Sequence, residues 1–437
     1  MTRRGRPDIG AHGVTEPSSI PLAPPAGMRD LLPPEASARA WLGSQLLRCF
    51  ARWGYQRVTT PPFEHADVIE RGLDTLDRRD LLRFVDPSTG EVALLRPDIT
   101  PQIARIVATR LRDRPAPHRL AYAASVVRQR RGRARRQRVL AQAGVECVGL
   151  PGVDADVEVI RLAGRAVESV GLTDYRIELS LVGLTRGAVA RVTTAPEDEV
   201  EAALAQKDVT SLRGLLKDEP AAVRRPILGA ASLYGAPAEV IAGAKKAFGD
   251  EPALRELSRV VARIDGDHPL SVDLGEIRGA AYYTGVSFAL LADGPGEAVG
   301  TGGRYDALMA RFGAPAAATG FGLNLANLEW ALEAAGRPTQ PARDLRVVVC
   351  GGSAEAREKL AHRLREAGYA AAVVPARGIG RALDYAKRWG YDVAAVCDPK
   401  GAELHRVHDG ARRRLPRSLS KIAPWADRDR QEGGSVS

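Results

Sequence analysis

The chain has 437 residues, of which 45% are hydrophobic and 27% are charged, a composition that is ordinary for a globular protein of about two to four domains. No apolar run is long enough to span a bilayer and the N-terminus lacks the apolar core of a secretory signal, so we expect a cytoplasmic protein without a membrane partner. The formal net charge of +10 permits contact with a polyanion such as nucleic acid. It does not require one, because a GC-rich genome favours Arg and Ala codons and raises the net charge in the same way.

The first half of the chain is predicted to alternate helices with short strands. We expect residues 1–20 to form a disordered leader, followed by a helix from Pro34 to about Trp53 whose apolar residues recur at helical spacing. Thr100 and Pro101 predict a helix start, with a capping hydroxyl and a proline in the first turn. The other predicted elements are a hairpin over 83–96, strands over 120–127 and 139–148, a helix over 154–170 and a strand over 176–182.

In the second half of the chain, the composition first shifts toward helix-forming residues, and a new alternation of strands and helices begins later. Residues 195–264 are rich in Ala, Leu, Lys and Glu with helical periodicity, which predicts a helical insertion within a core domain over 21–336. Strands are expected over 270–274 and 287–291, and a helix from Leu323 to about Ala335. A linker over 337–343 then precedes a βαβαβ pattern, which predicts a separate α/β domain over 344–426 and a disordered tail over 427–437.

The four cysteines are far apart and lie in apolar surroundings. Metal ligation by cysteine normally shows paired spacing, so we expect buried free thiols in a reducing compartment. The sequence therefore predicts neither a metal nor another cofactor.

Three polar residues lie on segments that are otherwise apolar or small, namely Asp98, Gln142 and Glu146. Two carboxylates and an amide that converge on one point would suit a cationic ammonium group. The residues themselves leave open two other interpretations, because charged residues at strand ends are commonly exposed or engaged in structural ion pairs.

Five segments carry recognisable motifs: LRPDIT (95–100), AQAGVE (141–146), GEIRGAAYYTG (275–285), GTGGRYD (300–306) and ATGFGLNLANL (318–328). Taken in this order, they resemble the catalytic core of histidyl-tRNA synthetase and, more closely, its non-synthetase relatives, the regulatory subunits of ATP phosphoribosyltransferase. The resemblance covers residues 24–333. It implies an α+β fold, namely a class II aminoacyl-tRNA synthetase-like antiparallel sheet flanked by helices. The C-terminal domain resembles the anticodon-binding domain of the same synthetases.

The resemblance also implies a histidine site. The LRPDIT and AQAGVE segments match those that hold the α-ammonium group in the synthetases, with Asp98 in place of a glutamate. We expect this site to contain Asp98, Thr100, Arg128, Gln142, Glu146, Arg278, Tyr282 and Tyr283. An arginine fork suits a carboxylate and a tyrosine pair suits an imidazole, although an isolated Tyr-Tyr pair is also typical of a core strand. Arg304 and Asp306 are predicted to form a structural pair without a catalytic role.

The nucleotide half of the synthetase pocket departs from the family pattern. At the start of the helix after ATGFG, the synthetases' glutamate and arginine are replaced by Ala326 and Asn327, and a glycine is replaced by Asn324. In the Gly275–Gly285 segment, Ala281 replaces the synthetases' aspartate. The second cationic segment, Arg128–Arg138, is still basic, but its residues no longer follow the order of the synthetase motif. It is compatible with a solvated loop, or with a loop that binds a polyanion or an acidic surface of a partner protein.

These features predict a non-catalytic regulatory subunit in histidine biosynthesis that binds histidine as an allosteric effector. The resemblance implies a hetero-oligomer with the catalytic short form of ATP phosphoribosyltransferase. It also implies a homodimer, because the helix after Pro34 and the segment Pro61–Glu64 resemble the synthetases' dimer-forming region. Nucleic acid is not expected as a partner. The alternatives are an active histidyl-tRNA synthetase with unusual motifs and an RNA-binding synthetase paralog.

Overall fold

The structure of the protein is a computed structural model that describes residues 23–72, 81–129, 137–277, 282–337, 339, 344–375 and 378–426. The chain divides into two compact units, residues 1–339 and 340–437. The predicted leader over 1–20 and the predicted tail over 427–437 lie outside the described residues. Within the described ranges, no helix combines the length and the apolar character needed to cross a bilayer.

The described part of the first unit contains helices α1 Glu35–Arg52, α2 Ala66–Gly72, α3 Thr100–Thr109, α4 Val153–Ser169, α5 Val182–Val189, α6 Glu197–Ala205, α7 Val209–Leu215, α8 Ala221–Ser232, α9 Pro237–Phe248, α10 Pro252–Ile264, α11 Asp306–Arg311 and α12 Leu325–Ala334. Its strands are β1 Gln56–Arg57, β2 Phe63–His65, β3 Arg83–Val85, β4 Val92–Leu95, β5 His118–Val127, β6 Val139–Val148, β7 Arg176–Ser180, β8 Tyr234–Gly235, β9 Leu270–Asp273, β10 Ser287–Leu291, β11 Gly300–Arg304 and β12 Ala318–Asn324.

One sheet joins nine of these strands in the order β1-β5-β6-β12-β11-β10-β7-β9-β8, and β2, β4 and β3 form a small sheet of their own. The sheet is mostly antiparallel, as predicted, but the pairs β1–β5 and β7–β9 are parallel. Parallel neighbours need long crossover connections. The chain between β7 and β9 includes the helices α5 to α10, which provide such a crossover, so this pair is parallel within a sheet that is otherwise mostly antiparallel.

Two buried clusters lie on opposite faces of the large sheet. One cluster packs α1 and α4 against Ala143, Val145 and Cys147 of β6. The other includes buried residues of α2, α3 and α11 together with Tyr122, Tyr282 and Tyr305. Successive residues of a strand point to opposite faces. The residues of β6 that alternate with the first cluster therefore point to the face on which the tyrosines lie.

Some predicted boundaries are wrong by a few residues, for local reasons. The strand predicted over 176–182 ends at Ser180, because Val182 already begins α5. The helix predicted from Leu323 begins at Leu325, because β12 continues to Asn324, whose side chain caps the helix by accepting from two backbone N–H groups. The predicted helix start at Thr100 is confirmed, but its hydroxyl donates to Glu146 instead of capping the helix.

The second unit contains β13 Arg346–Gly351, α13 Ala354–Glu366, β14 Ala370–Val373, α14 Ile379–Arg388, β15 Val393–Asp398, β16 Gly401–Arg406, β17 Arg412–Arg414, a short 3-10 helix Leu419–Lys421 and α15 Ile422–Ala426. Its sheet has the order β14-β13-β15-β16-β17. The βαβαβ elements are parallel, as expected for such crossovers, and the antiparallel strands β16 and β17 extend them. All four cysteines of the chain are free and buried, which confirms the prediction of buried free thiols.

Candidate functional site

Strand β6 places two of the predicted site residues on one face of the sheet. Gln142, Gly144 and Glu146 alternate with residues of the helix-packed core, so all three point to the face opposite α1 and α4. The neighbouring strand β12 pairs Gly320 with Glu146 and Gly322 with Gly144. The floor of the site therefore consists of one carboxylate and one amide set among glycines.

Glu146 is the carboxylate of this floor, and it is buried, with 2% of its surface exposed. Its Oε1 accepts a hydrogen bond of 2.7 Å from the Thr100 hydroxyl, and its Oε2 accepts one from the Tyr305 hydroxyl. Burial raises the pKa of Glu146 from 4.5 to about 8, because these two neutral donors offset only part of the cost of removing the charge from water. A cationic group placed beside Glu146 would favour its ionised form.

Gly320 is the residue that makes room for this carboxylate. A Cβ atom at position 320 would lie 1.8 Å from Glu146 Oε2 and 2.5 Å from the Val145 carbonyl oxygen. No side chain fits at either distance without moving the strand backbone. The first glycine of the ATGFG segment thus has a steric reason, which is close approach to the neighbouring strand.

Asp98 lies at the entrance to α3 and is already part of an ion pair. Its Oδ2 accepts from Arg128 Nη2 at 3.2 Å, and its Oδ1 accepts from the backbone N–H of Thr100 at 3.2 Å. Arg128 Nε also donates to the Pro97 carbonyl. Asp98 and Arg128 therefore lie side by side, and the negative charge that Asp98 offers to a ligand is shared with a guanidinium.

Three tyrosine rings form an aromatic wall. The ring centroids of Tyr282 and Tyr283 are 5.2 Å apart at 74°, and those of Tyr282 and Tyr305 are 5.8 Å apart at 81°. Edge-to-face packing of this kind holds each ring in a defined orientation. Burial raises the pKa of all three phenols above the usual value, so they act as neutral hydroxyls.

Tyr305 is a site residue that the sequence analysis did not identify. It lies between Arg304 and Asp306, and these two side chains form the predicted pair, with 3.1 Å between Nη1 and Oδ1. Arg304 also pairs with the buried Asp156. The available signal was the aromatic residue inside the GGRYD motif, in which only Arg304 and Asp306 were given a role, as a structural pair.

These groups line a cavity of about 1030 Å³. Seven of the eight predicted residues line it, namely Asp98, Thr100, Arg128, Gln142, Glu146, Tyr282 and Tyr283. The eighth, Arg278, lies outside the described residues, as does Ala281. The remaining lining is provided partly by β7, α5 and α6, with Glu178, Arg186 and Glu201. The cavity is therefore larger than one amino acid requires, and its far end is bounded by the helical insertion.

The start of α12 contains neutral residues at the positions where the synthetases have charged ones. Asn324 Oδ1 accepts from the backbone N–H groups of Ala326 and Asn327, at 3.0 and 3.3 Å. Asn327 is buried, and its Nδ2 donates to the Ala298 carbonyl at 2.8 Å. Both asparagines therefore stabilise the local backbone, and the first turn of α12 contains no guanidinium.

Comparison with known proteins places the chain in a family. Residues 27–328 match the family model described as histidyl-tRNA synthetase. The ATP phosphoribosyltransferase regulatory subunit of Geobacter sulfurreducens is 36% identical over 421 residues, which cover 92% of this chain and 95% of the relative. The protein of the same name from Moorella thermoacetica is 40% identical over 400 residues, covering 89% of this chain and 99% of the relative.

A solved structure agrees with these relatives. It is described as an ATP phosphoribosyltransferase regulatory subunit/histidyl-tRNA synthetase from Bacillus halodurans, with a TM-score of 0.71 and 27% identity. The match covers 84% of this chain and 97% of that one. With the synthetase-like sheet and the neutral residues at the start of α12, these comparisons lead to one conclusion: the chain belongs to the ATP phosphoribosyltransferase regulatory subunits, a family with the class II fold of histidyl-tRNA synthetase.

Proposed function

We propose that this protein is a histidine-sensing regulatory subunit of ATP phosphoribosyltransferase, and that it brings feedback control by histidine to the first step of histidine biosynthesis. The chain itself does not catalyse aminoacylation in this proposal. Free histidine occupies the cavity beside β6, and a catalytic transferase subunit of the short form is the partner. The names of the relatives support the regulatory role, and the site chemistry supports histidine as the effector.

The environment of Glu146 is the observation that carries the proposal. Within the part of the chain that the structure describes, this buried carboxylate accepts from two neutral hydroxyls, and no ion pair supplies a positive charge to balance it. An α-ammonium group would supply that charge and convert a costly buried carboxylate into a charge-assisted pair. The amide of Gln142 and the carboxylate of Asp98 line the same cavity, so an ammonium group has further acceptors.

The rest of a histidine molecule suits the remaining lining. The edge-to-face rings of Tyr282 and Tyr283 offer flat apolar walls and hydroxyl groups, which match the two faces and the ring nitrogens of an imidazole. Arg128 lines the cavity and offers a guanidinium that suits a carboxylate. We include Arg278 in this site on the strength of its motif alone.

The residues at the position of the synthetases' nucleotide site support a histidine sensor rather than an active synthetase. Adenylate formation develops negative charge on the α-phosphate, and fixed cations are needed to stabilise that charge. At the start of α12 the chain has Asn327, which is buried and donates to a backbone carbonyl. A protein that only senses histidine needs the amino-acid half of the pocket and loses nothing by this change.

Regulation follows from linkage between histidine and assembly. Histidine shifts the equilibrium between active and inhibited forms only if it binds one form more tightly than the other, and the coupling is reciprocal. We therefore expect the transferase to change the affinity of this subunit for histidine. A homodimer built on α1 and the segment around β2 is the proposed building block of the hetero-oligomer.

The test combines two measurements on the same purified chain. Isothermal calorimetry measures binding of L-histidine, with L-alanine as the matched control that keeps the α-amino and carboxylate groups but lacks the imidazole. ATP–pyrophosphate exchange in the presence of histidine measures adenylate formation. Histidine binding without exchange supports the proposal, whereas histidine-dependent exchange would make the protein an active synthetase. RNA binding with steep salt dependence and no histidine binding would favour the RNA-binding alternative.

A further inference from the structure

The stretch that leads from β9 to β10 carries Tyr282 and Tyr283, and the structure describes both of its flanks, residues 274–277 and 282–286. We propose that Lys207 and Arg186 are positioning residues for the histidine site, because they hold these flanks against α5 and the helical insertion. The proposal rests on the proposed function, since it assigns to residues of the helical side a role in binding of the same ligand.

Lys207, in the turn between α6 and α7, is joined to the first flank through one carboxylate. Its Nζ lies 2.5 Å from Asp273 Oδ2 and 4.1 Å from the centroid of the Tyr234 ring. Asp273 is buried at the end of β9, and its Oδ1 accepts from the backbone N–H of Gly275 at 2.8 Å. The same carboxylate therefore binds the insertion with one oxygen and orients the backbone of the flank with the other.

The backbone at Lys207 adds a second observation. Its φ is 55°, and among the described residues other than glycine it is the one recorded with a positive φ. A left-handed lysine costs free energy and persists where the surroundings determine it. The backbone N–H groups of Lys207 and Asp208 donate to the carbonyls of Leu204 and Ala203, both at 2.9 Å, so the C-terminal cap of α6 fixes the backbone of this turn.

Helix α5 holds the flanks from the other side. The Thr185 hydroxyl donates to the Leu274 carbonyl at 2.8 Å, and Arg186 Nη2 donates to the Ile277 carbonyl at 2.7 Å. A Cβ atom on Gly183 would lie 3.3 Å from the Tyr283 carbonyl oxygen, so α5 also approaches the second flank closely. Arg186 in addition lines the cavity and lies 3.8 Å from Glu201 of α6.

The two flanks are thus fixed by helices that do not belong to the floor of the site. Leu274 also donates its N–H to the Leu233 carbonyl at 3.0 Å, so the turn before β8 takes part as well. If Lys207 releases Asp273, the backbone of the flank loses one of its anchors and the tyrosine wall is less well ordered before the ligand arrives. Histidine that orders this wall must in turn stabilise the turn at Lys207, because coupling is reciprocal.

The test compares matched variants in the full-length chain. Lys207→Asn removes the ammonium group, and asparagine tolerates a left-handed backbone, so the turn itself is preserved. Lys207→Arg keeps a positive charge. Lys246→Asn, at an exposed lysine of α9, is the control for loss of one charge from the insertion. Two readouts are used: histidine affinity by calorimetry, and hydrogen–deuterium exchange of peptides covering 270–277 and 282–290 without ligand.

We expect Lys207→Asn to weaken histidine binding about tenfold, which corresponds to about 1.4 kcal/mol, and to accelerate exchange in both peptides. Lys207→Arg and Lys246→Asn should stay within about twofold of the wild type, a difference well below 1 kcal/mol. If Lys207→Asn fails to fold, Arg186→Gln tests the second anchor, which is the contact of α5 with the Ile277 carbonyl. Unchanged exchange and unchanged affinity in a folded Lys207→Asn protein would overturn the proposal. A wild-type chain that binds no histidine would refute the proposed function, while the exchange measurement would still decide whether Lys207 holds the two flanks in place.

Discussion

Replacing Glu146 by glutamine tests the candidate site with the smallest change of shape. Glutamine can still accept from the hydroxyl of Thr100 or Tyr305, but it cannot pair with an ammonium group as an anion. Hydrogen bonds to charged groups contribute about 1.5–3 kcal/mol. We therefore expect Glu146→Gln to weaken histidine binding by about ten- to 150-fold, without unfolding the protein.

Glu146 should make the free energy of unfolding decrease as the pH rises, whereas a typical ion-paired acid makes it increase. The pKa of Glu146 is raised from 4.5 to about 8 in the folded state, so the folded protein holds a proton that the unfolded chain has released. The stability contributed by this group is present below about pH 4.5 and is lost as the pH rises toward 8. Between pH 6 and 8.5, the free energy of unfolding should decrease more for the wild type than for Glu146→Gln, by at least about 1.4 kcal/mol.

Histidine affinity should depend on pH for the same reason. The carboxylate that pairs with an ammonium group must be ionised, so binding near pH 7 requires release of a proton from Glu146. The ligand's own imidazole also titrates in this range, and comparison with Glu146→Gln separates the two effects. We expect the ratio of the two affinities to increase from pH 6 to pH 8.

The assay is calorimetry at pH 6, 7 and 8, with urea unfolding at the same values. Glu239→Gln, at an exposed position on α9, is the matched control and should bind histidine like the wild type. If Glu146→Gln binds histidine as tightly as the wild type, the ammonium group does not lie beside Glu146 and the site is misplaced. If it unfolds, Glu146 is a structural residue and the reasoning from its neutral hydrogen-bond partners is wrong.

Gly320→Ala should abolish histidine binding and lower the melting temperature, because the new Cβ would lie 1.8 Å from Glu146 Oε2 and 2.5 Å from the Val145 carbonyl oxygen; calorimetry and thermal unfolding measure the two effects. Arg304→Met removes the partner of the buried Asp156 and should cost about 3–5 kcal/mol of stability. Burial raises the pKa of Asp156 to about 6, so this loss should be larger at pH 8 than at pH 5 in urea unfolding. The four buried cysteines, whose pKa values are raised by burial, should react with a thiol reagent only after unfolding.

Local patterns explain which parts of the fold were predictable. Helical and alternating periodicity identified most elements, because the two periods depend only on which residues must face the core. Boundaries were less accurate where one element directly follows another, as at Val182, where a strand and a helix are separated by one residue. The parallel pairing of β7 with β9 was not predictable from periodicity, since it depends on where the chain returns after the insertion.

The sequence by itself determined the class of fold, the family and seven of the residues that line the cavity, because motifs and strand alternation are local properties. Only the tertiary structure decided which of these residues touch. It brings the hydroxyl of Tyr305 to Glu146 across 159 positions, pairs Asp98 with Arg128, and joins Lys207 to Asp273. Such contacts depend on how distant strands and helices pack, and residue spacing in one chain contains no direct record of that packing.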